Sequence, residues 1–427
     1  MASFSIQTLG CRANQADSEQ LRQILLGAGF AEVRPGEPAD CAIVNTCTVT
    51  GEADRKSRQV LRRAGRQAST VIATGCAVAD RGGLGTLPGA TLRLPPDRRE
   101  SILALLEAAG CPSAALVEGE ARQKRTRALL KVQEGCDQFC SFCIVPYVRG
   151  RSRSTDAEVL LAEARRLEAA GYREIVLTGI HLAVWGKDLP GEPDLAGLLD
   201  VLLAGTREVR YRLSSIEPMN FPRRLLDRMV ERPDRVCPHL HLALQHASDA
   251  VLERMRRGYT RSEYEALARE FLDRVPGACL TTDVLVGFPG ETEADFRALV
   301  GFVRRLPFYR LHVFPYSPRA GTAAARFPGT VEEEEKNRRV GVLLRLGERN
   351  ARAFMRAFRG TVRPVLVERP GDRPGRLVGT ADNYLPVTFR GGPPLLGRIV
   401  PVRLGRLQGG SITGRVVGEE FGGDPVN

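Results

Sequence analysis

Gln133-Glu134-Gly135-Cys136-Asp137-Gln138-Phe139-Cys140-Ser141-Phe142-Cys143-Ile144-Val145-Pro146-Tyr147-Val148-Arg149-Gly150-Arg151-Ser152-Arg153 holds three cysteines in a C-x3-C-x2-C array, with an aromatic residue before the third. Thiolates this close can share one metal centre, and soft sulfur selects zinc or iron–sulfur clusters. A structural zinc takes four ligands, usually paired cysteines or cysteines with histidines. No histidine or fourth cysteine lies near this array. A cubane that only carries electrons also takes four cysteines. Three thiolates leave one iron open, which points to a cluster that binds a ligand and does chemistry. A fourth thiolate supplied from a distant part of the chain would remove that argument.

Downstream of the array, strands and helices alternate for over 150 residues. Strand patterns fall at 174–177, 209–213, 239–244, 279–286 and 311–314, after an apolar run at 129–132, with helical patterns at 155–170 and 195–203. About six such units predict a full or partial (β/α) barrel whose active site lies at the C-terminal ends of its strands. Polar clusters sit there: the cysteine loop, Thr178-Gly179, Ser214-Ser215-Ile216-Glu217, Gln245-His246 and Gly287-Phe288-Pro289-Gly290-Glu291. Serines and a glutamate suit the hydroxyls of a sugar, and a Gly-rich turn lets backbone approach a ligand. His239 and His241 share one side of their strand, which allows metal binding. With no carboxylate or cysteine at ligand spacing, the favoured reading for His239, His241 and His246 is barrel interior or substrate contact. Cys237 and Cys279 read as packing residues.

Before the array the chain is a strand–helix alternation. Strands at 4–9, 41–45 and 70–74, with helices at 14–28 and 52–66, predict a small parallel sheet. Cys11, Cys47 and Cys76 each follow a strand directly. In an open parallel sheet those turns lie together beyond the carboxyl ends of the strands, where ligands bind. Three thiolates from distant positions are thus expected to converge on a second metal site, against the alternative of small cysteines packed at strand ends. Cys41 and Cys111 read as ordinary core or surface cysteines. The Gly- and Pro-rich stretch 81–96 shows no assignable element, and the basic run 120–127 reads as an inter-domain linker.

At 427 residues, 43% hydrophobic and 26% charged, the chain is an ordinary soluble globular sequence of two or three domains. No apolar run approaches membrane-spanning length, and the first residues lack a basic region followed by an apolar one, so a cytosolic protein without membrane association is expected. There the ten cysteines stay reduced and serve as ligands rather than disulfides. A net charge of +12, carried mainly by arginine, favours a polyanionic partner, nucleic acid before membrane. At the C-terminal end a long charged helix, 332–358, with Leu343, Leu344, Leu346 and Phe354 among its apolar positions, precedes five short runs at 362–367, 376–379, 385–389, 398–404 and 411–417. These predict a small antiparallel β-barrel. Arg363, Arg369, Arg373, Arg376, Arg390, Arg398 and Arg403 could neutralise phosphates there.

The cysteine array with Phe142 before its last member resembles the signature of radical S-adenosylmethionine (radical SAM) enzymes. Thr8-Leu9-Gly10-Cys11-Arg12-Ala13-Asn14-Gln15, Asn45-Thr46-Cys47-Thr48-Val49-Thr50 and Gly75-Cys76 resemble the methylthiotransferase branch. Ala53-Asp54-Arg55-Lys56-Ser57-Arg58 and the run from Phe142 to Gly150 look most like the subfamily acting on N6-threonylcarbamoyladenosine of tRNA. The resemblance implies an α/β protein of three parts: a methylthiotransferase domain over 1–125, a radical SAM barrel over 126–358 and a TRAM-like RNA-binding barrel over 359–427. It implies two [4Fe–4S] clusters, one on Cys136, Cys140 and Cys143 whose open iron chelates SAM, and one on Cys11, Cys47 and Cys76 that carries the sulfur to be inserted. Phe142, Thr178, Gly179, Ser214, Glu217, Gln245, Gly287 and Pro289 would line the SAM pocket.

One SAM would methylate the sulfur; another would supply the 5′-deoxyadenosyl radical that takes hydrogen from C2 of the adenine. An aromatic C–H has no acidic proton for a base to remove, so such cofactors are needed. A tRNA, an electron donor such as flavodoxin or ferredoxin and a sulfur source would be the partners of a monomeric enzyme. Two departures stand out: Gln245-His246-Ala247-Ser248 where relatives usually have Gln-Ser-Gly-Ser, and Met255-Arg256-Arg257 where Met-Asn-Arg is usual. The competing readings are the same chemistry on isopentenyladenosine of tRNA or on an aspartate of a ribosomal protein, and a non-enzymatic RNA-binding protein with zinc in both cysteine sites.

Overall fold

The computed structural model describes residues 2–78, 87–111 and 126–418. Most of the proposed linker, 120–125, and part of the 81–96 stretch, 81–86, lie outside the described residues.

The N-terminal unit is a parallel sheet of strands β1 (Ser3–Thr8), β2 (Ala31–Glu32), β3 (Ala39–Thr46), β4 (Ala68–Gly75) and β5 (Leu92–Arg93), in the order β2-β1-β3-β4-β5. Helices α1 (Arg12–Gly27), α2 (Gly51–Ala64) and α3 (Ile102–Ala108) cover it. Residues 41–46 of β3 and 70–75 of β4 are buried without alternation, as expected for central parallel strands covered on both faces. The three strands read from the sequence are present, and the two-residue edge strands β2 and β5 add to them. Gly75 has a φ of +86°, and a Cβ there would lie 2.3 Å from Asn45 Oδ1, so only glycine lets the chain turn from β4 into Cys76.

Six strand passages then form a partial barrel. Strands β6 (Ala128–Lys131), β9 (Glu174–Thr178) and β10 (Arg210–Leu213) make one parallel sheet in the order β10-β9-β6. After Ser214 the same passage continues as β11 (Ser215–Ile216), which pairs with β12 (His239–Leu242), β13 (Cys279–Val286) and β14 (Arg310–Pro315). The cysteine loop departs from and returns to a short antiparallel pair, β7 (Gln133–Glu134) and β8 (Arg153–Ser154), with helix α4 (Val145–Arg149) between. The outer helices are α5 (Ala157–Ala169), α6 (Leu195–Gly205), α7 (Arg224–Glu231), α8 (Asp249–Arg254), α9 (Arg261–Arg274) and α10 (Glu293–Arg305). α9 and α10 both start with capping boxes, Thr260 with Glu263 and Thr292 with Asp295.

Helix α11 (Glu333–Ala357) leads to a closed five-stranded barrel: β15 (Val362–Pro370), β16 (Arg376–Ala381), β17 (Pro386–Arg390), β18 (Ile399–Gln408) and β19 (Ser411–Val416). One expectation is corrected here. The small barrel is not wholly antiparallel, because closing it lays β17 parallel to β19, Val387 opposite Ile412. Leu344 is exposed, on the solvent side of α11 opposite the buried Leu343 and Leu346. The small barrel docks on the large one through a buried ion cluster. Glu174 pairs with Arg210 and Arg212, each at 2.7 Å. The two guanidinia then donate to main-chain carbonyls of the small barrel: Arg210 to Pro364 (3.0 Å) and Arg212 to Asp382 (2.8 Å).

Candidate active site

The cysteine loop is held by backbone and arginine donors. Cys136 Sγ accepts from the Gln138 N–H at 3.4 Å, and Cys140 Sγ from Arg257 Nη1 at 3.4 Å. Arg257 also pairs with Glu217, which brings that sequence-predicted carboxylate to the loop. Phe142 packs with Val251, Met255, Phe288 and Tyr316. Burial pushes the Cys136 thiol up to about 11 and Cys143 to about 12, so each holds its proton until a metal displaces it. Beside Glu217 and Arg257, the buried His181 has no hydrogen-bond partner at either ring nitrogen among the described residues, and burial lowers its pKa. Native interiors rarely leave such groups unmet, so a polar ligand fits this place.

The second trio gathers as the βα-turn argument expects. Cys11 caps α1, Cys47 follows β3 and Cys76 follows β4. Asn14 organises them: its Nδ2 donates to the carbonyls of Leu9 (2.7 Å) and Thr46 (2.8 Å), leaving Oδ1 3.8 Å from Cys11 Sγ and 3.9 Å from Cys76 Sγ. Arg149, at the end of the cysteine-loop helix α4, crosses to this site. Its Nε donates to Cys76 Sγ at 3.2 Å and its Nη1 pairs with Asp17 at 2.7 Å and Glu134 at 3.1 Å. One buried guanidinium therefore ties the two cysteine sites together.

Around a single tetrahedral zinc, ligand sulfurs lie about 3.8 Å apart. Among the described residues no three cysteine sulfurs lie within 4.8 Å of one another. Neither trio meets that spacing in this structure, and three soft thiolates are a donor set suited to a polynuclear iron–sulfur group. Arg149→Leu is expected to lower stability by about 2 kcal/mol, because Asp17 and Glu134 lose one buried charged partner while Lys131 remains to pair with both; chemical denaturation of the protein measures it.

Against the second trio, with Cys11 and Cys47 in its lining, lies a cavity of about 580 Å³. One wall is Gly10, Cys11, Arg12, Cys47 and Thr50; another is Thr178, Gly179, Ser214 and Ser215. The floor is the inner face of β12, β13 and β14, where alternate residues point inward: His239 and His241, Thr281 and Asp283, Arg310, His312 and Phe314. Three of the predicted SAM-pocket residues line this cavity, and Phe142, Glu217, Gln245, Gly287 and Pro289 do not. Gln245, with φ +60°, instead extends the sheet, its N–H donating to the Asp283 carbonyl at 2.9 Å. The turn at Gly287 is approached not by open space but by Lys336, whose Cγ would lie 2.1 Å from a Cβ there.

The histidine reading also changes. A carboxylate does accompany His241: Asp283, on the neighbouring strand, lies 3.1 Å from His241 Nε2 and 3.2 Å from His312 Nδ1. Although burial alone would raise it, the adjacent His241 and His312 hold the Asp283 carboxyl well below the usual range. His239 and His241 do share a side, both reaching Thr281 Oγ1, at 3.2 and 3.0 Å. His246 is elsewhere, buried with its Nδ1 accepting from the Ser248 N–H at 3.0 Å. Sequence reasoning missed Arg12, Asp283, Arg310, His312 and Tyr384. Period-two alternation along 279–286 and 310–315 could have found three of them. Tyr384 comes from the small barrel and stacks on His239 at 4.5 Å between ring centroids; nothing local announces it.

Residues 130–303 match the family described as the Radical SAM superfamily, 3–84 the uncharacterized protein family UPF0004, and 356–417 the TRAM domain. The chain is 37% identical to the threonylcarbamoyladenosine tRNA methylthiotransferase MtaB of Bacillus subtilis, over 95% of this chain and 94% of that one. It is 36% identical to the tRNA-2-methylthio-N(6)-dimethylallyladenosine synthase of Moorella thermoacetica, over 97% of this chain and 98% of that one. Among solved structures, the cobalamin-dependent S-adenosylmethionine radical enzyme OxsB aligns with a TM-score of 0.51 at 11% identity, over 82% of this chain and 56% of that one, a likeness of fold alone. Matched from end to end by such relatives, and carrying both cysteine trios, the chain belongs to the radical SAM tRNA methylthiotransferase family.

Proposed function

We propose that this protein inserts a methylthio group at C2 of N6-threonylcarbamoyladenosine in tRNA. The chain's match to relatives named for that nucleoside, 37% identical in Bacillus subtilis, supports it, beside a 36% match to a relative named for the dimethylallyl one. The cavity carries the choice. Arg12, Arg310, His241, Asp283 and His312 line it, a polar setting with two arginines that suits an anionic N6 substituent better than a branched hydrocarbon.

Cys136, Cys140 and Cys143 would hold one [4Fe–4S] cluster, and Cys11, Cys47 and Cys76 a second. When bound, these clusters and SAM supply one-electron cleavage chemistry together with the sulfur and methyl groups transferred. The chain's own task is placement. Arg257 steadies Cys140 and Glu217, while Asn14 and Arg149 steady the second trio. Thr178, Gly179 and Ser214 form the wall shared by cofactor and substrate. The small barrel brings the tRNA, although Arg363 is taken by Asp382 at 2.6 Å and is not one of its phosphate ligands. An external one-electron donor of the flavodoxin or ferredoxin class and a sulfur source complete the reaction.

Nucleoside mass spectrometry of tRNA from a deletion strain tests the substrate: 2-methylthio-N6-threonylcarbamoyladenosine is expected to vanish and to return on complementation. Its persistence, or loss of the dimethylallyl product instead, overturns the assignment. Cys11→Ala is expected to abolish thiolation while reductive SAM cleavage continues, as 5′-deoxyadenosine release by the purified variant shows. Loss of both activities would count against separate duties for the two cysteine sites.

A further inference from the structure

The cavity wall carries an uncompensated cation. Arg12, Arg127 and Arg212 crowd around the Tyr384 ring, their guanidinium carbons 5.9, 5.7 and 5.1 Å from its centroid. Arg127 is paired with Glu368 at 2.8 Å and Arg212 with Glu174 at 2.7 Å. Among the described residues Arg12 has no carboxylate at ion-pair distance; its one hydrogen bond goes from Nη2 to the Tyr384 hydroxyl at 2.8 Å. A guanidinium has five N–H donors in a planar fork made for bidentate acceptors such as carboxylates. Arg12 also lines the cavity next to Cys11. A cation partly removed from water, held in place by a tyrosine and lacking an anion, is a receptor for one.

We propose that Arg12 receives the carboxylate of the threonylcarbamoyl group and so makes the enzyme select this N6 substituent over an uncharged one. This rests on the substrate reading above. The geometry of adenine supports the placement, because C2 and the exocyclic N6 flank N1 on one edge of the ring. Gripping the N6 substituent beside Cys11 presents that edge, with C2, to the thiolate wall. The tyrosine that orients Arg12 belongs to the RNA-binding barrel, so the receptor is complete only when that barrel is docked.

The test compares binding of two anticodon stem–loops to the full-length, iron-loaded protein by fluorescence anisotropy. One carries N6-threonylcarbamoyladenosine, the other adenosine at the same position. Wild type is expected to prefer the first. Arg12→Met, which keeps the aliphatic stem, is expected to lose at least about tenfold in affinity for the modified stem–loop and to bind the unmodified one as wild type does. Arg12→Lys keeps the charge without the fork and is expected to retain an intermediate preference; it carries the test if Arg12→Met does not fold with full iron.

Equal weakening for both stem–loops means that Arg12 holds an RNA phosphate, which overturns the proposal. A wild-type preference that survives in both variants also overturns it, and leaves the substrate reading standing. Equal binding of the two stem–loops by wild type refutes the substrate reading and the proposal together.

Discussion

Cys140→Ala is expected to bring methylthiolation down by at least a factor of about 1,000 and to halve the iron, from about eight to about four atoms per chain. Cys140 is the most buried member of its trio and is held by Arg257 and by the turn in which the Cys143 N–H donates to the Cys140 carbonyl at 3.0 Å. Alanine offers no ligand in place of the sulfur. On the function proposed above, in which the cluster held here cleaves SAM, 5′-deoxyadenosine formation should stop as well, which separates this variant from Cys11→Ala. Iron analysis and chromatographic assay of 5′-deoxyadenosine decide the matter; full iron content with normal SAM cleavage would remove Cys140 from the ligand set.

Glu174→Ala carries the largest expected cost in stability, about 3–5 kcal/mol. Glu174 is wholly buried between Arg210 and Arg212, both also buried, so removing it strands two guanidinia in the joint between the barrels. The attraction of either arginine to its carbonyl partners in the small barrel does not replace a full charge. Urea denaturation should show a lower midpoint, and Tyr384, carried by the same docked surface, should lose its place beside Arg12. The pH dependence follows from the same cluster. Burial alone would raise the Glu174 pKa, but Arg212 and Arg210 outweigh it and hold the carboxyl well below its ordinary value. A depressed folded-state pKa adds stability that is fully present above the unfolded value of about 4.3 and is lost as the pH falls further, toward the folded value. Glu174→Gln should therefore flatten the acid limb of the stability curve; an unchanged limb would mean that the cluster is not the acid-sensitive element. The depressed Asp17 and Asp283 act in the same direction.

The placement of the two cysteine trios was legible for a local reason. Each lies in a short segment whose position relative to a strand can be read from a few residues, and parallel topology does the rest. The histidine pattern was half legible: alternation put His239 and His241 on one side, but their carboxylate came from a neighbouring strand outside the window in which ligand spacing is sought. At Gly287 a Cβ would meet Lys336, and a glycine required by a packed lysine looks the same in sequence as one kept open for a ligand. Arg12 and Tyr384 lie 372 positions apart, and no periodicity connects them.

Residue order alone was enough to specify the chemistry on offer: three thiolates too few for a closed site, a second trio at strand ends, and strands and helices in barrel alternation. These follow from backbone period and ligand valence, which short stretches encode. Which charges neutralise one another was settled only by folding. Glu174 is consumed by Arg210 and Arg212, Glu368 by Arg127 and Asp382 by Arg363, so the guanidinium beside the cavity is left without an anion. Ion pairing and desolvation depend on distance and burial in three dimensions, and it is there that a radical SAM scaffold acquires a preference for one nucleoside.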